Sequence, residues 1–531
     1  MVGERALEAV VPQSLVGAVA FIVPELFLVA GACVLLVGGT LYRCRSTWAG
    51  LALATVALAF AAWWWGPAAK QGPDAISPLM FTPHSSFITV LALGSAALLV
   101  MLSWNHVPDG QASEYHACVL LIAAGVALVG SANDLVLLFL ALELISIPTY
   151  VLLYLPRNDA RSQEATTKYF LLSIFASGFF LFGASYLYGL SGSTNLEVLR
   201  VSLPAQVGGG MDLLLGLALV LVLAGLCFRV TAVPFHFYAP DVYQGAPAIC
   251  AALLAVVPKI AGFTAIYLIL SAVLGGSGGE SWFPEVRSAL AALCWILALA
   301  SMTIGNLLAL QQNDLKRLLA YSSVAHAGYM LVGVGAGLID PASGGQEAVL
   351  FYLVVYAATT LGAFAVVAYL GRLTRPVEAV DDLAGLWQAQ PLLALAMTAF
   401  LFSLTGLPPT AGFWGKLYIF LSAWSTGGAL YRVLAVAMAV NAALGAWYYV
   451  RMVAVMYLRP QGREQPRPSD AAGYLGIAAC AAVVLVIFAI PGPFWTAAER
   501  ATAPAVYTPA TPTVTLPEPD ARTLTHRLPH P

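Results

Sequence analysis

Apolar residues fall into about fourteen long blocks along the chain, and short polar stretches separate these blocks. Each block comes close to the roughly 20 residues that one helix needs to cross a bilayer. The blocks are centred near residues 26, 57, 92, 123, 145, 178, 224, 259, 299, 327, 359, 405, 444 and 482. This pattern predicts an all-α polytopic membrane protein with about fourteen transmembrane spans.

The composition supports the same class of protein. Of the 531 residues, 60% are hydrophobic and 9% are charged, whereas soluble domains average about a quarter charged residues. The apolar blocks leave no room for a soluble catalytic domain. The seven cysteines form no C-x-x-C pair, so an iron–sulfur or zinc site is not predicted. The tail, residues 494–531, is rich in proline and threonine and is predicted to be disordered.

The loop charges predict the orientation of the chain. If the N-terminus lies outside, twelve of the 24 lysines and arginines, Lys316 and Arg317 among them, fall in loops on the inner side. Eight fall in outer loops or in the tail. The positive-inside rule therefore predicts that both termini lie on the outer side, as an even number of spans requires.

Four basic residues remain inside the apolar blocks, together with one glutamate and one histidine. These six residues are Glu143, Arg229, Lys259, His326, Lys416 and Arg451. Each charged side chain in the membrane costs about 2.5–3.5 kcal/mol to insert. Such a residue is a functional candidate by default, and the alternative is a paired structural charge or a side chain that snorkels to an interface.

The two interpretations have different weight at each position. Glu143, Lys259 and Lys416 lie too near the middle of their spans to snorkel, which favours a functional role. Arg451 lies near a helix end, so snorkelling is the better interpretation there. His326 stays open between a structural and a functional role, because neutral hydrogen-bonded histidines are common at helix interfaces.

Two of the spans contain helix breakers beside these charges. Pro234 follows Arg229 by five residues, and the run GLPP at 406–409 ends seven residues before Lys416. Proline removes a backbone donor and clashes with the preceding turn, so the freed carbonyls need other partners. Discontinuous spans beside polar groups mark ion pathways in transporters, although prolines are also frequent in ordinary transmembrane helices.

Several long stretches, taken together, resemble one known family. They are SANDLVLLFLALELISIPTYVLLYL, EATTKYFLLSIFASGFFLFGASYLYG, VPFHFYAPDVYQGAP with LLAVVPKIAGF, NDLKRLLAYSSVAHAGYMLVG and GLPPTAGFWGKLYIF. They cover roughly residues 114–458. In this order they resemble the antiporter-like subunits of proton-pumping NADH–quinone oxidoreductase, respiratory complex I. Within that family they are most similar to the subunit N group, the counterpart of mitochondrial subunit 2.

The resemblance implies a fold with two inverted five-helix repeats. Each repeat would contain one discontinuous helix, in the seventh and the twelfth span. Residues 1–113 would form three spans, 114–275 the first repeat and 286–460 the second. Residues 470–493 would form the last span.

The resemblance also implies roles for individual residues. Four of them are expected to take part in proton translocation, in the fifth, eighth, tenth and twelfth spans: Glu143, Lys259, His326 and Lys416. Arg229 is a departure, because the family usually has a lysine at this position of the seventh span. Arginine stays protonated, whereas a buried lysine can lose its proton. Arg229 is therefore expected to hold Glu143 ionised without relaying protons itself.

The function that the resemblance implies is proton translocation, coupled to electron transfer from NADH to quinone in partner subunits. This chain would bind no redox cofactor; NADH, FMN, iron–sulfur clusters and quinone are expected in those partners. The expected partners are other membrane subunits, including neighbouring antiporter-like subunits, and the lipid of a bacterial inner membrane, with no nucleic acid. One alternative is a subunit of a Mrp-type cation/proton antiporter, and another is a scaffold whose charges are static pairs.

Overall fold

The computed structural model describes residues 22–66, 77–155, 159–207, 212–275, 283–371, 377–460 and 470–503. Within these ranges the chain forms nineteen α-helices and no β-strand, which confirms the predicted all-α class. The helices are α1 (Val23–Leu41), α2 (Arg45–Trp65), α3 (Pro83–Ser103), α4 (Ala112–Ser131), α5 (Leu135–Tyr154), α6 (Ala160–Ser191), α7 (Leu196–Gln206), α8 (Asp212–Val230), α9 (Ala239–Gly245), α10 (Ala248–Leu274), α11 (Pro284–Leu310), α12 (Leu315–Ile339), α13 (Gly345–Leu370), α14 (Leu386–Ala389), α15 (Pro391–Thr405), α16 (Ala411–Ser425), α17 (Ala429–Leu458), α18 (Ala471–Ala489) and α19 (Gly492–Thr502).

Thirteen helices in the described part of the chain are long and apolar enough to cross a bilayer. The remaining predicted span, centred near residue 405, is divided into two helices of 15 residues each, α15 and α16. The thirteen helices and this divided span confirm the prediction of about fourteen crossings.

Both predicted breaks occur where the prolines lie. Helix α8 ends at Val230, and the next residue, Thr231, has φ +60° before a non-helical segment leads to α9. Pro234 lies in that segment. Helix α15 ends before Gly406, which has φ +89°, and α16 begins beyond the prolines of residues 406–409. The seventh span is therefore α8 with α9, and the twelfth is α15 with α16. In contrast, α10 runs without interruption through the proline next to its lysine.

The prediction of a disordered tail from residue 494 is wrong for its first part, because α19 extends through Thr502. The rings of Trp495 and Tyr418 lie with their centroids 4.2 Å apart, and α19 packs on α3 and α13. The helix is amphipathic, and the packing of its apolar face stabilises it although the segment is rich in polar residues. Residues 504–531 lie outside the described ranges.

The centre of the molecule is formed by α10, α12 and α13. In each of these helices, 94% of the most apolar stretch is buried inside the chain, against 33% in α1, α2 and α6. Helix α10 belongs to the predicted first repeat, residues 114–275, and the other two belong to the predicted second repeat, 286–460. Lys259 lies on α10 and His326 on α12, so both occupy the most enclosed part of the fold.

Candidate functional site

Glu143 of α5 and Arg229 of α8 form an ion pair. Arg229 Nη2 donates to Glu143 Oε1 at 3.0 Å, and the Ser177 hydroxyl on α6 donates to the same oxygen at 2.6 Å. Arg229 Nη1 donates to the backbone carbonyl of Leu142 at 3.1 Å and to Ser146 Oγ at 2.7 Å. The planar guanidinium therefore joins α8 to α5 through three acceptors at once.

This ion pair lies near the membrane-facing surface of the chain. The side chain of Glu143 is 22% exposed, whereas that of Arg229 is 8% exposed. Large apolar side chains, including Leu140 and Phe175, form the exposed surface of α5 and α6 on either side of it. The carboxylate therefore lies where the chain meets lipid or another membrane subunit.

Lys259 lies near the middle of α10 and is fully buried, with 0% of its surface exposed. Its Nζ donates to Thr231 Oγ1 and to Ser323 Oγ, each at 2.6 Å. Thr231 is the first residue of the break in the seventh span. The ring of Tyr356, with its centroid 5.8 Å from Nζ, adds a cation–π contact. No ion pair among the described residues includes Lys259, so hydroxyl groups rather than a carboxylate solvate its ammonium group.

His326 connects α12 to two other helices through tyrosine hydroxyls. Its Nδ1 lies 2.6 Å from the hydroxyl of Tyr352 on α13, and its Nε2 lies 3.1 Å from that of Tyr449 on α17. The histidine ring also lies between two further tyrosine rings, with centroid distances of 5.3 Å to Tyr356 and 5.5 Å to Tyr329. Both ring nitrogens therefore have partners that can either donate or accept a hydrogen bond.

Lys416 lies on α16 and binds the end of α15. Its Nζ donates to the backbone carbonyls of Leu404 at 2.7 Å and Thr405 at 3.0 Å. These carbonyls belong to the last turn of α15, where a helix leaves acceptors unpaired and favours a cation. The ring centroid of Tyr329 lies 4.6 Å from Nζ. Gly406 leaves room for the side chain, because a Cβ at that position would lie 2.9 Å from Lys416 Cδ.

A continuous series of contacts joins three of the predicted site residues. Ser323, which binds Lys259, also accepts from the Tyr356 hydroxyl at 3.0 Å. The Tyr356 ring contacts His326, which in turn contacts the ring of Tyr329, and Tyr329 contacts the ammonium of Lys416. The structure thus brings Lys259, His326 and Lys416 into one buried pathway. The Glu143–Arg229 pair lies beside it, since Arg229 is two residues before the Thr231 that binds Lys259.

Sequence reasoning did not find the hydroxyl groups that bind these charges. The missed residues are Thr231, Ser323, Tyr352, Tyr356 and Tyr449. Serine and threonine are common in transmembrane helices and often bond to their own backbone, so a single one carries little signal. The one usable signal was spacing, because Ser323 precedes His326 by three residues and both therefore lie on one face of α12.

Two basic residues at span ends, Lys316 and Arg451, differ in burial and in the groups that they bind. Lys316, which is predicted to be a loop residue, is buried in the first turn of α12. Its Nζ donates to the carbonyls of Gln244 and Ala246. The assignment to a loop is therefore wrong, because Lys316 belongs to α12 and carbonyls from a distant part of the chain bind its ammonium. Arg451 reaches Asn313 Oδ1 at 2.6 Å in the turn before α12, and for it snorkelling stays the better interpretation.

Comparisons with known proteins identify the family of this chain. The family described as NADH:quinone oxidoreductase/Mrp antiporter, TM, matches residues 132–442. NADH-quinone oxidoreductase subunit N of Trichlorobacter lovleyi is 40% identical over 403 residues, which are 76% of this chain and 78% of that protein. A chain of respiratory complex I from Thermus thermophilus with bound aureothin has 34% identity and a TM-score of 0.73. That alignment covers 89% of this chain and 98% of the other.

A chain of the Mrp complex from Dietzia sp. DQ12-45-1b aligns with a TM-score of 0.74 over 91% of this chain and 97% of the other. Its sequence identity is 20%, so this likeness shows a shared fold alone. The Mrp alternative is therefore less favoured than the subunit N assignment, which has curated relatives at about twice that identity. The chain belongs to the family of antiporter-like transmembrane subunits of NADH–quinone oxidoreductase, and within that family to the subunit N group.

Proposed function

We propose that this subunit translocates protons across the membrane, driven by electron transfer from NADH to quinone in other subunits of the same complex. The observation that carries the proposal is the buried series of polar contacts from Lys259 to Lys416. Neither lysine has an ion-pair partner among the described residues, which argues against a scaffold whose charges are static pairs. Buried lysines that change their protonation state explain why such costly residues are present.

In the proposed sequence, Lys259 gives up a proton toward His326, and Lys416 receives it. Ser323 and Tyr356 can pass a proton because a hydroxyl can both accept and donate a hydrogen bond. Tyr356 donates to Ser323 in the structure, so this hydrogen bond reverses before a proton moves from Lys259 toward His326. Tyr356 and His326 are in ring contact, with centroids 5.3 Å apart, so the transfer between them requires a bridging water. Lys416 then releases the proton to the outer side after it leaves the carbonyls at the end of α15.

The Glu143–Arg229 pair sets the electrostatic potential at Lys259. When the pair is closed, the glutamate charge is neutralised by arginine and contributes less to holding a proton on Lys259. When the pair opens, the carboxylate attracts that proton more strongly. Arg229 acts as a counter-charge and stays protonated throughout.

The chain is a multi-pass membrane protein that assembles with other membrane subunits. We further propose that it lies in a bacterial inner membrane with both termini on the outer side, next to other antiporter-like subunits. The carboxylate of Glu143, which is partly exposed at the surface of the chain, is a suitable contact for such a neighbour. All redox cofactors are proposed to lie in the partner subunits.

The proton pathway is tested by Lys259→Ala in the assembled complex reconstituted into vesicles. Removing a group that transfers protons slows its step by about 100-fold or more, so we expect most NADH-driven proton pumping to disappear. Arg229→Lys is the companion variant, and pumping should be retained if this position supplies a counter-charge. Full pumping by an assembled Lys259→Ala complex would exclude the proposed function.

Purification of the native complex tests the redox coupling separately. We expect subunits that oxidise NADH to co-purify with this chain, and the absorption of FMN and iron–sulfur clusters to reside in those subunits. Co-purification with antiporter subunits that have no NADH oxidation activity would instead support the Mrp alternative.

A further inference from the structure

Lys316 is a buried lysine that the pathway above does not use. It lies in the first turn of α12 with 3% of its surface exposed. Its Nζ donates to the carbonyl oxygens of Gln244 at 2.5 Å and Ala246 at 2.7 Å. These carbonyls lie at the C-terminal end of α9, the short half of the broken seventh span. Lys316 therefore holds this half-helix on the side that the loop charges predict to be the inner side.

Polar groups connect Lys316 to that inner surface. Asp241 of α9 has a side chain that is 41% exposed, and it accepts from Arg317 at 2.6 Å and from Lys168 at 2.8 Å. Arg317 also donates to the side-chain carbonyl of Gln244 at 3.1 Å. The backbone carbonyl of the same glutamine accepts from Lys316, so groups in contact with water lie directly beside the buried lysine.

Two buried hydroxyls belong to the helices that Lys316 joins, that of Tyr243 on α9 and that of Ser323 on α12. Tyr243, the residue before Gln244, is 0% exposed, and its hydroxyl faces Ser323 without a hydrogen bond of normal geometry. Ser323 accepts from Lys259 Nζ at 2.6 Å. Ser323 follows Lys316 by seven residues, which places both on one face of α12 about 10 Å apart along the helix.

We propose that Lys316 takes up protons from the inner side and passes them through Tyr243 and Ser323 to Lys259. This inference rests on the proposed function and adds its uptake route. Neutral Lys316 first binds a proton from inner water. The Lys316 side chain then leaves the two carbonyls, and its ammonium gives a proton through a bridging water to the Tyr243 oxygen. The hydrogen of Tyr243 moves to Ser323, and that of Ser323 moves to the neutral amine of Lys259. Each hydroxyl gains one proton and loses one, so only the two lysines change charge.

A simpler interpretation is that Lys316 only caps α9. Cations near the C-terminal end of a helix stabilise it in this way, and the two hydrogen bonds alone fit that role. The cap does not explain why the fully buried hydroxyl of Tyr243 faces Ser323 without a partner of normal geometry, since buried hydroxyls are nearly always hydrogen-bonded. A relay explains it, because Tyr243 must alternate between the two lysine sites.

Lys316→Arg separates the two interpretations. Arginine keeps the charge and the donors that cap α9, but it stays protonated and cannot pass a proton on. We expect the complex to assemble and most of its NADH-driven pumping to be lost, because loss of a transfer group slows its step by about 100-fold. Wild-type pumping per NADH oxidised in Lys316→Arg would overturn the proposal.

Tyr243→Phe provides a second test that leaves the cap intact, and it decides the matter if Lys316→Arg does not assemble. We expect slower pumping in Tyr243→Phe but unchanged pumping in Tyr115→Phe, a matched loss of another buried tyrosine hydroxyl. Equal pumping in both tyrosine variants would overturn the relay.

If Lys259→Ala loses pumping while Lys316→Arg and Tyr243→Phe do not, only the uptake route is wrong. If Lys259→Ala pumps normally, the proposed function itself fails.

Discussion

The two lysines at the ends of the buried pathway lie in different surroundings. Lys259 donates to two side-chain hydroxyls, those of Thr231 and Ser323, each at 2.6 Å. Lys416 donates to two backbone carbonyls, those of Leu404 and Thr405, at 2.7 and 3.0 Å. Both lysines lie beside a break in a transmembrane span, but the groups that accept their hydrogen bonds are of different kinds.

The difference matters when a lysine is neutral. A hydroxyl can turn its hydrogen toward the lone pair of a neutral amine, so both contacts of Lys259 can persist after it loses a proton. A backbone carbonyl only accepts, and the C-terminal end of a helix favours a cation. We infer that the site of Lys259 suits transfer of a proton in either direction. The site of Lys416 suits holding a proton until the side chain moves away.

The largest effect is expected from moving Lys416 off its carbonyls. Gly406 has φ +89°, and a Cβ there would lie 2.9 Å from Lys416 Cδ. Gly406→Ala should therefore cost about 1–2 kcal/mol in backbone strain and displace the lysine side chain as well. We expect most pumping per NADH oxidised to be lost in the reconstituted complex.

Gly427→Ala is the matched control for that variant. Gly427 also has a positive φ, +76°, but nothing lies within 4 Å of the position of its Cβ. The control should carry similar strain and leave pumping unchanged. Equal losses in the two variants would mean that strain alone is responsible, and the proposed role of the Lys416 site would lose its support.

A smaller but substantial effect is expected at the other site from Ser323→Ala. The substitution removes one of the two acceptors of Lys259 and the hydroxyl that binds Tyr356 at 3.0 Å. Leaving a buried donor unpaired costs about 1–3 kcal/mol, and the link toward His326 is interrupted. We expect proton pumping by the reconstituted complex to slow. NADH oxidation by the partner subunits is measured in parallel, so that pumping is compared per NADH oxidised.

Ser422→Ala controls for the loss of a buried serine in general. Its hydroxyl bonds to the carbonyl of Ile419 in its own helix and to none of the site residues described above. Pumping should therefore match that of the unmodified complex. If Ser323→Ala behaves like this control, the hydroxyl environment of Lys259 has no part in transfer.

The charges within the membrane and the breaks in two helices could be predicted from the sequence, because both leave direct signals in it. A lysine within an apolar block, such as Lys259, is visible by its cost, and prolines such as Pro234 mark where a helix cannot continue. The pairing of Glu143 with Arg229 came from the family resemblance, and the structure places the two side chains 3.0 Å apart. Their roles in translocation stay predictions.

The hydroxyl partners were beyond sequence reasoning because they depend on packing between distant segments. Lys259 and Ser323 are 64 residues apart in the chain, and nothing in either segment indicates that they meet. Lys316 was missed for the same reason, since the carbonyls that it binds lie about 70 residues away. A basic residue beside a predicted loop is normally exposed, so its burial has no local signal.

The smallest of these effects is expected for Thr231→Val. Thr231 has φ +60°, and valine is also β-branched, so both residues bear similar backbone strain and differ chiefly in the hydroxyl. Lys259 keeps Ser323 as an acceptor, and the contact between Ser323 and Tyr356 remains, so the route toward His326 stays connected. Pumping should therefore fall less than in Ser323→Ala, and Thr231→Ser, which retains the hydroxyl, should restore most of it. A Thr231→Ser variant as impaired as Thr231→Val would mean that the side-chain methyl, rather than the hydroxyl, matters at this break. In that case the contrast between hydroxyl and carbonyl acceptors would not explain how the two lysine sites differ.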